Sequence, residues 1–299
     1  MPRFPETVES AIRSYVSEKE RKGGYSEASI KDFRRTSKNA YAVIERFQPG
    51  ATPRTVTVDT LRMTLEWMRD NLSVATQKNY YFYIKELMRA SKNFAYEDIR
   101  AVFPADIRPN VDWLSLDDAL TVLNCDKDPI ETMLVSLALC HGLRINEIHN
   151  LNVSDIHTEG RFITVLGKGR GGGKFRSVVF HPKFHTYFSQ WLEHRSLIAQ
   201  QCRDDISDNA LLVYLKGGKL QRYSTVRLRA FLQGLSERIG IEFSAHTLRR
   251  TFGREMFHSG VSVVTIAKIL GHASTEMTMR YIGVDIDDQA QAMNQFLLR

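Results

Sequence analysis

Three short segments and one loop hold the side chains best suited to chemistry. The segments are Cys140-His141-Gly142-Leu143-Arg144-Ile145-Asn146-Glu147-Ile148, His246-Thr247-Leu248-Arg249-Arg250, and Leu270-Gly271-His272, with Tyr281 nine residues further on. Between the first two lies the loop Gly167-Lys168-Gly169-Arg170-Gly171-Gly172-Gly173-Lys174. A guanidinium is a planar fork that donates bidentately to phosphate oxygens and keeps its proton. A phenol is a nucleophile that needs assistance, since its pKa is ~10, and histidine or lysine can move the protons. Such groups together can exchange a phosphodiester without a metal. Each segment also has an ordinary reading. Arg144 and Glu147, at i and i+3, suit a surface ion pair, His246 a cap, His272 a turn after Gly271, and Tyr281 a half-buried ring. The loop alone suits a flexible turn with solvated cations.

Other chemistries fail on spacing. A P-loop needs G-x-x-x-x-G-K-[ST], yet Lys168 stands where the first glycine belongs and Phe175 follows Gly173-Lys174. His246, His258 and His272 form no i, i+4 pair of the H-E-x-x-H kind, and no clustered carboxylates stand out for a magnesium site. No metal and no cofactor is therefore expected. Cys125, Cys140 and Cys202 are odd in number and far apart, which excludes a disulfide framework and a C-x-x-C zinc site.

In order and spacing the four elements resemble the tyrosine recombinase family, the phage-integrase and Xer-type site-specific DNA recombinases. That family's signature reads roughly G-L-R-x-x-E-L, G-K-G in a β-hairpin, H-x-L-R-[HR], and L-G-H followed by a tyrosine. Here Ile148 replaces the usual leucine, a conservative departure. The motifs cover about residues 113–299; for residues 1–105 the resemblance is one of architecture. It implies that Arg144 and Arg249 hold the non-bridging oxygens of a scissile phosphate, with Glu147 orienting Arg144. It implies that Tyr281 attacks to give a 3′-phosphotyrosyl link and a free 5′-hydroxyl. Lys168 is then the acid for the leaving oxygen, His246 the acceptor of the phenol proton, and His272 a donor to phosphate. Ligation reverses the step without ATP. The partners implied are double-stranded DNA with specific recombination sites, further copies in a tetramer on paired sites, and accessory DNA-bending proteins.

Elements that could position these groups follow from periodicity. From Ile30, apolar residues at Phe33, Ala40, Tyr41, Ile44 and Phe47 keep helical spacing up to Gln48-Pro49-Gly50. Lys31, Arg34, Arg35 and Lys38 form a basic stripe on another side of that helix. Val58, Leu61, Leu65 and Met68 mark a second helix. Ser73 suits the N-cap of a third running to about Ala90, with Lys78, Lys85 and Arg89 beside Tyr80, Tyr81 and Tyr83. Phe103-Pro104 and Arg108-Pro109-Asn110 interrupt the pattern. Beyond them, helices are expected near 116–125, 129–142, 182–200, 222–239, 246–259 and 262–270, with a last amphipathic one over Ile286, Ala290, Met293 and Leu297. Arg161–Leu166 and Phe175–Phe180 read as strands of a hairpin about the glycine-rich loop. The expected fold class is mainly α with a small antiparallel β-sheet (α+β). It comprises an all-helical DNA core-binding domain at 1–105, a linker at 106–112 and a catalytic domain at 113–299.

The 299 residues suit two domains, and 41 Lys and Arg against 34 Asp and Glu give a net charge of +7. Residues 1–110 hold 19 of those bases against 14 acids, so the excess is concentrated there. The basic stripe and the loop residues Arg170 and Lys174 are the expected contacts to the DNA backbone, and Lys78 and Lys85 are expected to bind DNA in a segment that could face the groove. No run of about 18 apolar residues suggests a membrane span, and the N-terminus lacks a secretory pattern. A cytoplasmic chain, associated with the nucleoid when bound to DNA, is expected. Two rivals share the pattern: a type IB topoisomerase-like or telomere-resolving enzyme, and a DNA-binding regulator that has lost catalysis. A regulator has no need of all six groups.

Overall fold

The structure is a computed structural model, and it describes residues 7–21, 27–104, 113–167, 173–181, 183–202 and 209–283. The described residues gather into two compact units, one carrying the first four helices and the other running from Trp113 onward.

The first unit comprises α1 (Val8–Arg21), α2 (Glu27–Glu45), α3 (Val58–Asn71) and α4 (Val74–Ala90). Two of its helices start at hydroxyl caps, where Thr57 accepts from the Thr60 amide and Ser73 from the Thr76 amide. Ile12, Phe33, Ile44, Leu61, Met68 and Leu87 meet in its core. Phe33 stacks on Tyr15 with ring centroids 4.5 Å apart. The α2 periodicity read from the sequence is thus the face turned inward, and the basic stripe is left outside.

In the second unit α5 (Leu116–Asn124) and α6 (Pro129–Val135) are followed by a π turn over Ser136–Cys140 and by the short α7 (Ile145–Asn150). The continuous helix expected over 129–142 is therefore interrupted, because the Leu143 amide reaches back to the Leu137 carbonyl at 3.0 Å instead of closing a regular turn. A three-stranded antiparallel sheet follows in the order β1 (Ile156–His157), β2 (Phe162–Leu166), β3 (Phe175–Val179). Phe162 pairs with Val179 and Leu166 with Phe175, so the two strands form the hairpin expected from the sequence. After α8 (Phe184–Ala199) comes a hairpin that periodicity did not reveal, β4 (Val213–Lys216) and β5 (Lys219–Arg222). The expected helix at 222–239 starts later, as α9 (Thr225–Ile239) capped by Ser224. The last described elements are α10 (Ala245–His258), α11 (Val263–Leu270) and α12 (Thr275–Ile282).

Leu134, Leu143, Ile163, Trp191, Leu232 and Leu248 belong to one core that joins helices and sheet. The fold class is mainly α with small antiparallel sheets, as expected. Among the described residues no helix is long and apolar enough to cross a membrane. The linker expected at 106–112 and the amphipathic helix expected over Ile286 to Leu297 lie outside the described residues.

Candidate active site

Glycine makes the first turn of the site possible. Gly142 has φ +64°, and a β-carbon there would lie 2.5 Å from the Phe252 ring. The chain can therefore bury Leu143 and bring Arg144 to the N-cap of α7. The Arg144 amide donates to Glu147 Oε2 at 2.8 Å, and its Nη1 donates to Oε1 at 3.0 Å. Glu147 is 4% exposed, so this is no surface pair.

Three guanidinium groups share that one carboxylate. Arg176 on β3 grips it with Nη1 and Nη2, both at 2.9 Å, while its Nε donates to the Ile269 carbonyl at 2.7 Å. Arg249 on α10, 1% exposed, reaches Glu147 Oε2 at 3.4 Å. Its Nη1 also donates to the Gly142 carbonyl, and its Nη2 to the Leu270 carbonyl. Arg144 Nη1 shares the Leu270 carbonyl at 3.2 Å. Burial alone would raise the Glu147 pKa, but the hydrogen bonds and charge of Arg176, with the Arg144 amide and Arg249, bring it below the usual carboxylate value. Burial and the nearby Arg144 charge lower the Arg249 pKa to about 10. The cluster keeps a surplus of positive charge with fixed geometry, the arrangement that stabilises a phosphate in a dry site.

Tyr281 sits among these charges. Arg249 and Arg250 lie 5.8 and 5.4 Å from its ring centroid. The rings of His246 and His272 stand edge-on to it at 5.3 and 4.9 Å. Its hydroxyl is buried and forms no hydrogen bond of close geometry among the described residues, though Arg249 is near enough to act on it as a donor. Burial raises the phenol pKa, and the charge and hydrogen bond of Arg249, with the Arg250 and Arg144 charges, offset part of the rise. His246 and His272 are both lowered to about 4, first by burial and then by the neighbouring arginines. Both are therefore neutral at pH 7. Arg249 Nη2 meets His272 Nε2 at 3.3 Å, so that nitrogen accepts and Nδ1–H donates to Thr278 Oγ1 at 2.9 Å. In this tautomer His272 has no proton on Nε2; donation to phosphate requires that nitrogen to gain one.

Helix ends position the groups. Ser244 Oγ accepts from the His246 and Thr247 amides, so His246 is in the first turn of α10 rather than being its cap. Arg249 and Arg250 follow at i+3 and i+4, on the same side of the helix. α11 ends at Gly271 (φ +64°), where a β-carbon would lie 3.1 Å from Arg176 Nη1.

The structure thus brings together Arg144, Glu147, Arg249, His246, His272 and Tyr281. Lys168 and Arg170 lie outside the described residues. Lys174 stands just before β3, its carbonyl accepting from the Gly167 amide at 2.9 Å. In the first unit Lys31, Arg34, Arg35 and Lys38 are all exposed on α2. Arg35 pairs with Asp32 and Lys38 with Glu9, each at 2.7 Å. Lys78 is exposed, and the Lys85 ammonium lies 5.9 Å from the Tyr81 ring. Sequence reasoning passed over two contributors, Arg176 and Arg250. The signal for Arg176 was its alternation with the buried Val178 on β3, which puts an arginine on the inward face of a strand. Among the described residues no group of three or more His, Cys, Asp or Glu side chains could hold a metal ion.

Comparison with known proteins bears on the same residues. The model of the Phage integrase family matches residues 113–287. The tyrosine recombinase XerC of Proteus mirabilis is 27% identical over 182 residues, 60% of this chain and 56% of that protein. The tyrosine recombinase XerS of Lactococcus lactis subsp. cremoris is 28% identical over 161 residues, 54% of this chain and 44% of that protein. The matched stretch spans about half the length of these curated relatives. Among solved structures, the Tn1549 transposon integrase in complex with a circular intermediate DNA has a TM-score of 0.69 at 19% identity, covering 98% of this chain and 100% of that one. The XerH site-specific recombinase bound to a palindromic difH substrate has a TM-score of 0.68 at 18% identity, covering 87% of this chain and 78% of that one. These two likenesses are of fold. The family match takes in more than half the chain and every motif of the cluster, and the chain belongs to the Phage integrase family.

Proposed function

We propose that the chain is a site-specific DNA recombinase, an integrase that breaks and rejoins DNA through a 3′-phosphotyrosine intermediate without metal or ATP. The observation that carries this reading is the buried Tyr281 hydroxyl set among Arg249, Arg144, His246 and His272. A scissile phosphate seated against Arg144 and Arg249 meets fixed donors as negative charge develops on its oxygens. Tyr281 Oη bonds to phosphorus, the bond to the 5′ oxygen breaks, and neutral His246 takes the phenol proton. Lys168 is assigned the protonation of the leaving oxygen on the family signature. Attack by a partner strand's 5′-hydroxyl reverses the step, since one phosphodiester replaces another.

The reading extends to the whole protein. Residues 1–105 form the DNA core-binding domain, 106–112 the linker and 113–299 the catalytic domain. Lys31, Arg34, Arg35, Lys38, Lys78, Lys85, Arg170 and Lys174 bind DNA. Four copies assemble on paired sites, with accessory DNA-bending proteins, on the nucleoid in the cytoplasm. Sequencing DNA captured covalently by the protein in its native cells identifies the site. A duplex of that site, nicked just beyond the cleavage position, then traps the intermediate. A covalent adduct lost in Tyr281→Phe supports the reading, as do recombinant products from paired sites. No adduct, or an equal one from Tyr281→Phe, overturns it. Relaxation of supercoiled plasmid without recombinants favours a topoisomerase.

A further inference from the structure

The helix that carries Tyr281 is also held from its far end. α12 is eight residues long, Tyr281 is its penultimate residue, and Gly283 follows with φ +63°. The last carbonyls of a helix lack intrahelical partners. Here Nη1 of Arg254, on α10, donates to the Ile282 carbonyl at 3.0 Å and to the Gly283 carbonyl at 2.8 Å. A cation at a helix C-terminus is electrostatically favoured as well as hydrogen-bonded. Arg254 is 8% exposed, and its guanidinium lies 4.5 Å from the centroid of the Trp113 ring. Trp113 is the first described residue of the second unit. The next residue, Leu114, donates its amide to Thr251 Oγ1 at 2.9 Å, three residues before Arg254 on the same helix. Beside Arg254, Gly253 lets α12 come close: a β-carbon there would lie 3.2 Å from Ile282 Cγ2 and 3.8 Å from the Tyr281 ring. One arginine thus joins the stretch where the chain enters this unit to the end of the tyrosine's helix.

We infer that Arg254, backed by Trp113, is a positioning residue for the nucleophile. It holds the Ile282 and Gly283 carbonyls so that the adjacent Tyr281 keeps its hydroxyl among the arginines. Its contacts include the α12 carbonyls and the Trp113 ring, whereas Glu147 and Arg176 organise the arginine pocket. Loss of Arg254 therefore impairs delivery of the phenol while leaving phosphate stabilisation intact.

This inference rests on the recombinase reading, and two reactions separate them. Covalent capture on the nicked cognate duplex needs both Tyr281 and the arginine pocket. Joining of a DNA 5′-hydroxyl to a 3′-p-nitrophenyl phosphate end, assayed in Tyr281→Phe, needs the pocket alone. In that reaction the hydroxyl oxygen bonds to phosphorus and p-nitrophenolate leaves, and its colour is the readout. Arg254→Met is expected to slow capture by about 10- to 100-fold, the scale on which a misplaced reacting group acts. Trp113→Leu is expected to slow it less. Added to Tyr281→Phe, either substitution should leave joining within about twofold, the rate a pocket of unchanged geometry gives. Capture by Arg254→Met at the wild-type rate overturns the inference. So does joining that falls as far as capture, which would assign Arg254 to the fold at large. No capture by the wild-type chain instead overturns the recombinase reading.

Discussion

Glu147 is the acceptor that the arginines of the cluster share. Buried at 4% exposure, it answers three guanidinium groups, and the Arg144 amide as well. Glu147→Gln leaves those cations without a countercharge in a poorly solvated place. A loss of about 3 kcal/mol of stability is expected, as for breaking a buried ion pair from one side, and thermal unfolding checks it. Covalent capture should fall more steeply than stability, because Arg144 and Arg249 lose their shared reference point. His141 sets a different limit. Its ring is buried, with Nδ1 at 2.9 Å from the Ser136 carbonyl and Nε2 accepting from the His181 amide at 3.1 Å. Burial lowers its pKa from 6.5 to about 4. Between those values the unfolded chain binds a proton that the folded chain refuses, so this stabilisation is present above pH 6.5 and is lost as pH falls toward 4. The slope is about 1.4 kcal/mol per pH unit for one fully discriminating group. Denaturant titrations over that window should show the decline, to which His246 and His272 also contribute, and His141→Gln should remove one group's share of the slope.

At the level of elements, the sequence was most readable where a cap or a long amphipathic face announced itself. Ser73 and the apolar side of α2 are such cases, and so is the hairpin of β2 and β3. α7 and α12, six and eight residues long, give periodicity too few turns to register. The π turn at Ser136–Cys140 was invisible for another reason: the residues on both sides of it are buried, so no polar face marks the change of pitch. β4 and β5 did leave a mark, since Gly217 and Gly218 both have positive φ between Lys216 and Lys219, a two-glycine turn of the hairpin kind. Their alternation is weak because β5 is wholly polar apart from Leu220. Of the site, the motifs supplied the residues whose roles are tied to short spacings. Arg176 escaped because its partner Glu147 lies 29 residues away on another element. That contact also explains the glycine before His272. Gly271→Ala places a β-carbon at φ +64° and 3.1 Å from Arg176 Nη1. The backbone strain alone costs about 1 kcal/mol, measurable by thermal unfolding. Displacement of Arg176 should reduce covalent capture by more than the stability loss accounts for.

Over the whole molecule, charge and connectivity set what can be tested without knowing the DNA site. Within the basic stripe of α2, Arg35 and Lys38 already have acidic neighbours in Asp32 and Glu9. Each released phosphate counterion contributes about 0.9 to the slope of log affinity against log salt on duplex DNA. Lys31→Ala and Arg34→Ala should each lower that slope by close to one such step. Lys38→Ala should lower it by less, because Glu9 competes for the ammonium. Binding titrations at several salt concentrations check this, and slopes unchanged from wild type in all three variants would remove α2 from the interface. Tyr281, Arg144, Arg249 and both histidines lie within a single unit of a single chain. A genetic consequence is non-complementation. Heterozygous mixtures of a Tyr281→Phe allele and an Arg249→Ala allele should yield no adduct, for neither gene product can lend its sibling the missing half; an adduct from such a cross would mean that helices are traded between siblings.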